Sequence, residues 1–174
     1  MMAAGTAAEQ GNNVIMIEKN KLLGKKLMIT GKGRCNITNA CEDVELLLKN
    51  VITNRRFLYS AFYGFDNFQT IDFFEKLGVK TKVERGNRVF PVSDKSADVV
   101  SALRQYLIKN NVEIICDTVT DITKEDDCIK GVLCAKRGFI SADAVVLATG
   151  GASYPATGST GDGYLLAQQA GHTV

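Results

Sequence analysis

Glu18 closes the apolar run Val14-Ile-Met-Ile17. A carboxylate at the end of a buried strand is suited to accept hydrogen bonds from the two hydroxyls of a ribose. In a dinucleotide-binding βαβ unit that acid follows a glycine-rich phosphate turn by about 20 residues. Counting back from Glu18 runs past Met1, so the turn is expected upstream of residue 1. An acid at a solvated strand end would read the same way. A second constellation is Leu23-Gly-Lys-Lys26 followed by Thr30-Gly-Lys-Gly-Arg-Cys-Asn-Ile-Thr-Asn39. Gly31 and Gly33 let backbone N–H groups approach a ligand that a Cβ would hold off. Lys25, Lys26, Lys32 and Arg34 suit a pyrophosphate, Arg34 through its planar fork. Asn36, Thr38 and Asn39 suit the edge of a ring. The string lacks the spacing of a Walker A loop, and a basic surface loop is the alternative.

A third glycine cluster, Ala148-Thr-Gly-Gly151, follows the apolar run Ala144-Val-Val-Leu-Ala148, and a fourth, Thr160-Gly-Asp-Gly163, opens the last helical stretch. Ligands of parallel α/β sheets bind beyond the carboxyl ends of strands, where glycine lets them lie against the backbone. Asp162 at a helix start is equally suited to capping and to ligand contact.

These residues need elements to position them. Residues 1–10 predict a helix stopped by Gly11, then a strand at Val14–Ile17 buried on both faces. Residues 20–40 read as a long ordered loop, and Phe57 to Gly78 as one helix. Lys80–Val83 and Arg88–Val92 predict a hairpin, and a helix capped by Ser93 or Ser96 follows. Strands are expected at Val112–Cys116, Val119–Thr123 and Ile129–Ala135; Phe139–Ser141 leads into a fully buried strand at Ala144–Ala148, and a helix is expected at Tyr164–Ala170. The fold class is α/β, a Rossmann-like core with an antiparallel patch, in one compact domain over residues 1–174.

Composition narrows the function. The 174 residues carry 21 Lys+Arg against 19 Asp+Glu, a net charge of +2 that does not suggest a nucleic-acid protein, and no Arg/Lys stripe with aromatics stands out. No apolar run approaches the roughly 18 residues of a membrane span. Five cysteines without a CxxC pair, and the single His172, are poor material for zinc, so no metal is expected. They read as reduced cytoplasmic thiols. Cys116, Cys128 and Cys134 are expected as small buried hydrophobes. Cys35, beside Arg34, is the one thiol whose pKa could be depressed, although it lacks a nearby partner for disulfide chemistry. His172 reads as a helix cap.

Glu18, Thr30-Gly-Lys-Gly-Arg-Cys-Asn36, Arg88-Val-Phe-Pro91, Ala148-Thr-Gly-Gly151 and Thr160-Gly-Asp-Gly163 occur in the order seen in a bacterial flavoprotein family. The chain resembles the HI0933-like (aminoacetone oxidase family) NAD(P)/FAD-dependent oxidoreductases along its whole length. The resemblance implies a glutathione-reductase-type FAD-binding domain truncated at both ends, its first strand and Gly-rich loop lying upstream and its substrate domain downstream. It implies FAD as cofactor, with Glu18 on the adenosine ribose beside Lys19, and Lys25 and Lys26 near the next FAD-contacting loop. Gly31, Gly33, Arg34, Cys35 and Asn36 would lie along the flavin, and the Val119 backbone would read adenine. Thr149, Gly150 and Gly151 would face the pyrophosphate and ribose, and Asp162 would approach the flavin. The activity implied is hydride transfer from NAD(P)H through FAD to an unknown small-molecule acceptor, in the cytoplasm. An FAD-dependent RNA-modifying enzyme and an inactive fragment or binding module are the alternatives. No catalytic acid or base stands out. Without a strand between them, Val14–Ile17 and Ala144–Ala148 would expose apolar edges, which predicts self-association and no membrane or nucleic-acid partner.

Overall fold

A computed structural model describes residues 1–174. The chain divides into two compact units, one of residues 1–26 and 104–174 and the other of residues 27–103.

The first unit opens with helix α1 (Met2–Glu9) and strand β1 (Ile15–Glu18). β1 pairs in parallel with a strand some hundred residues later, here β5 (Glu113–Cys116), in the register Ile15↔Glu113 to Glu18↔Cys116. This pair is the Rossmann element, and parallel pairing demands a long crossover between the strands. β1 is half-exposed, with Ile15 open to solvent, so the expectation of burial on both faces is corrected. The reason is that β5 is its sole sheet partner. α1 lies tightly on Tyr106: a Cβ on Gly5 would overlap that ring, and the Tyr106 hydroxyl donates to Glu9 at 2.7 Å.

The expected antiparallel patch is a three-stranded sheet, β6 (Val119–Glu125), β7 (Cys128–Cys134) and β8 (Gly138–Ser141), in that spatial order. Helix α6 (Asp162–Gln169) covers it. Leu166 joins Ile122, Val132 and Cys134 in a core against which Ile17, Val119, Ile140 and Val145 pack. Asp117 is buried just before β6, where its carboxylate accepts from the backbone N–H groups of Thr118, Lys136 and Arg137. Burial alone would push this carboxyl up, but those hydrogen bonds outweigh it and hold it below its ordinary value.

The run Ala144–Ala148 is not a strand. It is extended chain without a ladder, with Val145 packed inward and Val146 71% exposed. A strand exists only where a neighbour takes its N–H and C=O groups, and no strand lies beside this run. The cysteines also depart from expectation. Cys134 is buried, but Cys116 and Cys128 end and begin their strands on the exposed side.

The second unit is built on another antiparallel sheet, β2 (Thr38–Asn39), β4 (Arg88–Pro91) and β3 (Thr81–Glu84), ordered β2-β4-β3. The predicted hairpin β3–β4 turns through Gly86 and Asn87, both at positive φ. The stretch expected as one helix from Phe57 to Gly78 is broken. A 3-10 turn at Arg55–Leu58 leads into α3 (Tyr59–Gly64), and α4 (Asn67–Lys76) starts afresh. Phe65 is extended, and Asp66 forms a capping box with Gln69, the donor-acceptor exchange that begins a new helix. A short helix, α2 (Val44–Leu48), is capped by Asp43. Leu48, Phe74, Val79, Val89, Phe90 and Val99 are the buried interior. Helix α5 (Ser96–Lys109) begins in this unit and continues into the first.

Candidate functional site

Within the first unit, three loops converge beyond the carboxyl end of β1: residues 18–26, 149–161 and the start of α6. The parallel pair ends at Glu18 because the apolar run ends there, and the chain turns away. Glu18 Oε1 accepts from the Asn20 backbone N–H and from Asn20 Nδ2, both at 2.8 Å. The same Nδ2 donates to the Thr157 carbonyl at 3.2 Å. Two cations follow different courses. Lys19 Nζ is bound to Asp162 Oδ2 and to Thr160 Oγ1, each at 2.5 Å. The Lys19 hydrogen bond, seconded by Thr160, holds the Asp162 carboxyl below its ordinary range. Lys26 Nζ instead meets Ser153 Oγ at 2.8 Å, the Ser153 carbonyl at 3.2 Å and Ser159 Oγ at 3.4 Å, with the Tyr154 ring at 5.9 Å. Every one of these partners is neutral. Lys26 is therefore a half-buried positive charge with no carboxylate against it.

Glycine makes the cluster possible at two places. A Cβ on Gly163 would overlap Thr149 Oγ1, so the start of α6 lies against the Thr149-Gly-Gly151 turn only because residue 163 has no side chain. Gly158, at φ +98°, would place a Cβ 2.5 Å from Asn20 Nδ2. Thr149 and Gly150 are exposed, and Gly151 is half-buried. Lys25 points to solvent. Val119 opens β6 opposite Cys134, and the register shifts between it and Asp121. Asn20, Ser153, Thr157, Ser159 and Thr160 are site residues that the sequence reading did not reach. A small polar residue gives a signal only once its fixed partner is known.

The remaining expected residues belong to the second unit, where their side chains have partners of their own. Arg34 Nη1 binds Glu84 Oε1 at 2.8 Å and Asp94 Oδ1 at 3.2 Å, and its guanidinium lies 4.0 Å from the centre of the Phe90 ring. Lys82 Nζ binds Asp94 Oδ2 at 2.6 Å and approaches Glu84 at 3.5 Å. Two cations and two carboxylates make a neutral set. The Arg34 and Lys82 hydrogen bonds hold Glu84 and Asp94, respectively, below their ordinary values. Gly31 at φ +56° carries no Cβ because one would stand 2.7 Å from Phe90 Cε1. Lys32 at φ +59° and Gly33 at +85° continue this left-handed run, and Cys35 is also left-handed at +63°. The Asn36 amide nitrogen donates to the Thr38 carbonyl at 3.0 Å. Cys35 is 1% exposed, and burial pushes its thiol up despite a hydrogen bond with Thr30. Cys35 is thus a buried thiol rather than a depressed thiolate, because the low-dielectric interior disfavours its charge.

A parallel strand pair flanked by helices, with glycine-rich loops and an acid gathered at its carboxyl end, defines a Rossmann-type α/β domain. The chain belongs to the HI0933-like protein Rossmann domain family, which matches residues 1–174. It is 34% identical over 177 residues to a "3-dehydro-bile acid delta(4,6)-reductase" of Clostridium scindens, covering 100% of this chain and 42% of that protein. It is 28% identical over 176 residues to a "Ribosomal RNA dihydrouridine synthase" of Escherichia coli, again covering 100% of this chain and 42% of the relative. Among solved structures, L-proline dehydrogenase from P. horikoshii superimposes with a TM-score of 0.55 at 18% identity, over 98% of this chain and 52% of that one. The chain thus spans less than half the length of the curated relatives it matches. No helix is long and apolar enough to cross a membrane.

Proposed function

We propose that this chain is the FAD-binding part of a flavin-dependent oxidoreductase that takes reducing equivalents from NAD(P)H and delivers them to a small-molecule acceptor. One observation carries the reading. The loops that meet beyond β1 hold an acid on a strand end and, in Lys26, a positive charge that no carboxylate neutralises. A dinucleotide matches that pair, with ribose hydroxyls for the acid and an anionic pyrophosphate for the lysine. Glu18 accepts from the adenosine ribose, and Lys26 stands against the pyrophosphate. The Thr149-Gly-Gly151 backbone lies along the cofactor, and Lys19 and Asp162 hold the start of α6 in place. Lys25 adds a solvent-exposed charge nearby, and the Val119 backbone reads the adenine edge. Within the second unit, the left-handed run Gly31–Gly33, followed by Arg34, Cys35 and Asn36, presents a backbone suited to the close approach of a ligand. Strain at a non-glycine residue such as Lys32 fits a ligand-contacting loop. The chemistry FAD supplies when bound is two-electron oxidation and reduction. Five unbridged cysteines support a reducing compartment, the cytoplasm. Val146 and Leu147, apolar and exposed in the 144–148 run, support self-association.

The test is an FAD titration by fluorescence quenching, with the visible spectrum checked for flavin bands at about 370 and 450 nm. Glu18→Ala is expected to weaken FAD by about 1.5–3 kcal/mol, the scale of a hydrogen bond to a charged group. Unchanged affinity removes Glu18 from the site.

A second reading, RNA modification, has its own support in the second unit. Lys49, Arg55 and Arg56 enter no ion pair and line one cavity with Ile52, 99% exposed, and the exposed rings Phe57 and Tyr63 follow in the chain. Unpaired cations with exposed rings suit single-stranded nucleic acid. Two relatives are named as ribosomal RNA dihydrouridine synthases. A gel shift with ribosomal RNA at physiological salt that Arg55→Ala and Arg56→Ala together abolish favours this reading; no shift removes it.

A further inference from the structure

We propose that Asn20 is a positioning residue for the adenosine ribose, holding the Glu18 carboxylate by one oxygen so that the other is presented to the ligand hydroxyls. The inference rests on the dinucleotide reading of the site. Asn20 is the hinge of three contacts. Its backbone N–H and its Nδ2 both donate to Glu18 Oε1 at 2.8 Å, and Nδ2 also donates to the Thr157 carbonyl at 3.2 Å. Both acceptors face the same end of the amide, so that end must be the nitrogen. The amide is fixed from three directions. Its backbone carbonyl accepts from Cys116 Sγ at 3.6 Å, and Gly158 leaves the space that a Cβ would take, 2.5 Å from Nδ2. A long flexible carboxylate at a strand end would otherwise rotate, and ordering it at the moment of binding costs affinity. Asn20 removes that cost in advance and ties the acid to the 155–157 turn that leads into α6.

The charged and titratable groups around this carboxylate are few. The Met1 ammonium interacts with it electrostatically, and Cys116 sits opposite Glu18 in the strand register. Lys19, next in sequence, is engaged by Asp162. This simplicity makes Asn20→Asp informative. The new carboxyl would face Glu18 Oε1 and the Thr157 carbonyl, and two carboxylates at hydrogen-bond distance cannot both ionise. Protonated, the new group donates as the amide does; ionised, it repels Glu18.

The experiment is FAD titration by fluorescence quenching of the native chain, Asn20→Ala and Asn20→Asp, at about pH 8 and about pH 5.5, on either side of the range where such a paired carboxyl titrates. Asn20→Ala is expected to lose about tenfold in affinity at both values, a lost hydrogen bond to a charged group. Asn20→Asp is expected to lose at least as much at the higher pH and to recover most of it at the lower. Recovery also reports that the variant is folded. A pH-independent Asn20→Asp, or an Asn20→Ala that binds like the native chain, overturns the positioning role while leaving the site intact. A native chain that does not quench the flavin overturns the dinucleotide reading itself, and the role of Asn20 falls with it.

Discussion

Two clusters of basic residues, one in each unit, differ in a way that sorts structural from ligand-binding charge. Around Arg34, two cations face two carboxylates, and a ring lies under the guanidinium. Beyond β1, Lys19 has Asp162, but Lys26 has only hydroxyls, a carbonyl and the face of the Tyr154 ring. The Arg34 set closes on itself and needs no further anion. The site around Lys26 is complete in hydrogen bonds and incomplete in charge, the condition of a pocket prepared for an anion. Sequence alone suited Lys25, Lys26, Lys32 and Arg34 alike to a pyrophosphate, Arg34 through its planar fork. The structure separates two of them: Arg34 is paired with carboxylates and Lys26 is not.

The largest effect should come from removing the unbalanced charge. Lys26→Ala is expected to weaken FAD by about 2 kcal/mol, roughly 30-fold, the scale of a charge-assisted hydrogen bond. Its melting temperature should hardly move, because Lys26 neutralises nothing in the free protein. A variant that melts early yet keeps its FAD affinity would reverse the comparison. The opposite pattern is expected at Arg34. Arg34→Ala should lower the melting temperature by a few degrees, since it leaves Glu84 and Asp94 sharing Lys82 alone and uncovers Phe90. Arg34→Lys should fall between, keeping the charge and losing the fork and the stacked face. Equal effects of the two substitutions would show that the fork does nothing there.

The smallest effect is in the pH dependence of stability. The folded-state pKa values of Asp162, Glu84 and Asp94 are lowered, so each contributes stability above the unfolded carboxylate value of about 4 and loses it as pH falls through the folded value. Lys82 is raised, chiefly by its hydrogen bond to Asp94, so its contribution is complete below about pH 10.4 and is lost as pH rises through the folded value. Melting curves against pH should therefore show Lys19→Met blunting the acid limb. Lys82→Met should blunt the acid limb and the alkaline one. An acid limb left unchanged by Lys19→Met would show that the Lys19–Asp162 pair adds nothing to stability.

Much of the frame was legible. Ile15–Glu18, the β3–β4 hairpin, α5 and the β6–β7 hairpin are elements whose own periodicity and turn residues specify them. The break at Phe65-Asp66 carried its signal too: Asp66-Asn-Phe-Gln69 spells a capping box that a continuous apolar face concealed. Ala144–Ala148 could not be read this way, because its apolar pattern is that of a buried strand and a strand needs a neighbour. Cys116 and Cys128 look like Cys134 in composition, and only the pleat and the sheet edge expose them.

The sequence by itself determined where the chemistry could be. An apolar run that stops at Glu18, and glycines at 150, 151, 158, 161 and 163, are local facts of hydropathy and backbone freedom. Only the tertiary structure decided which charges are free to act. Lys19 and Asp162 are 143 residues apart, and Arg34 lies 50 from Glu84 and 60 from Asp94. Coulomb attraction depends on distance in space. Adjacent in type and near in sequence, Lys19 and Lys26 differ because a distant turn brings a carboxylate to one and serines to the other.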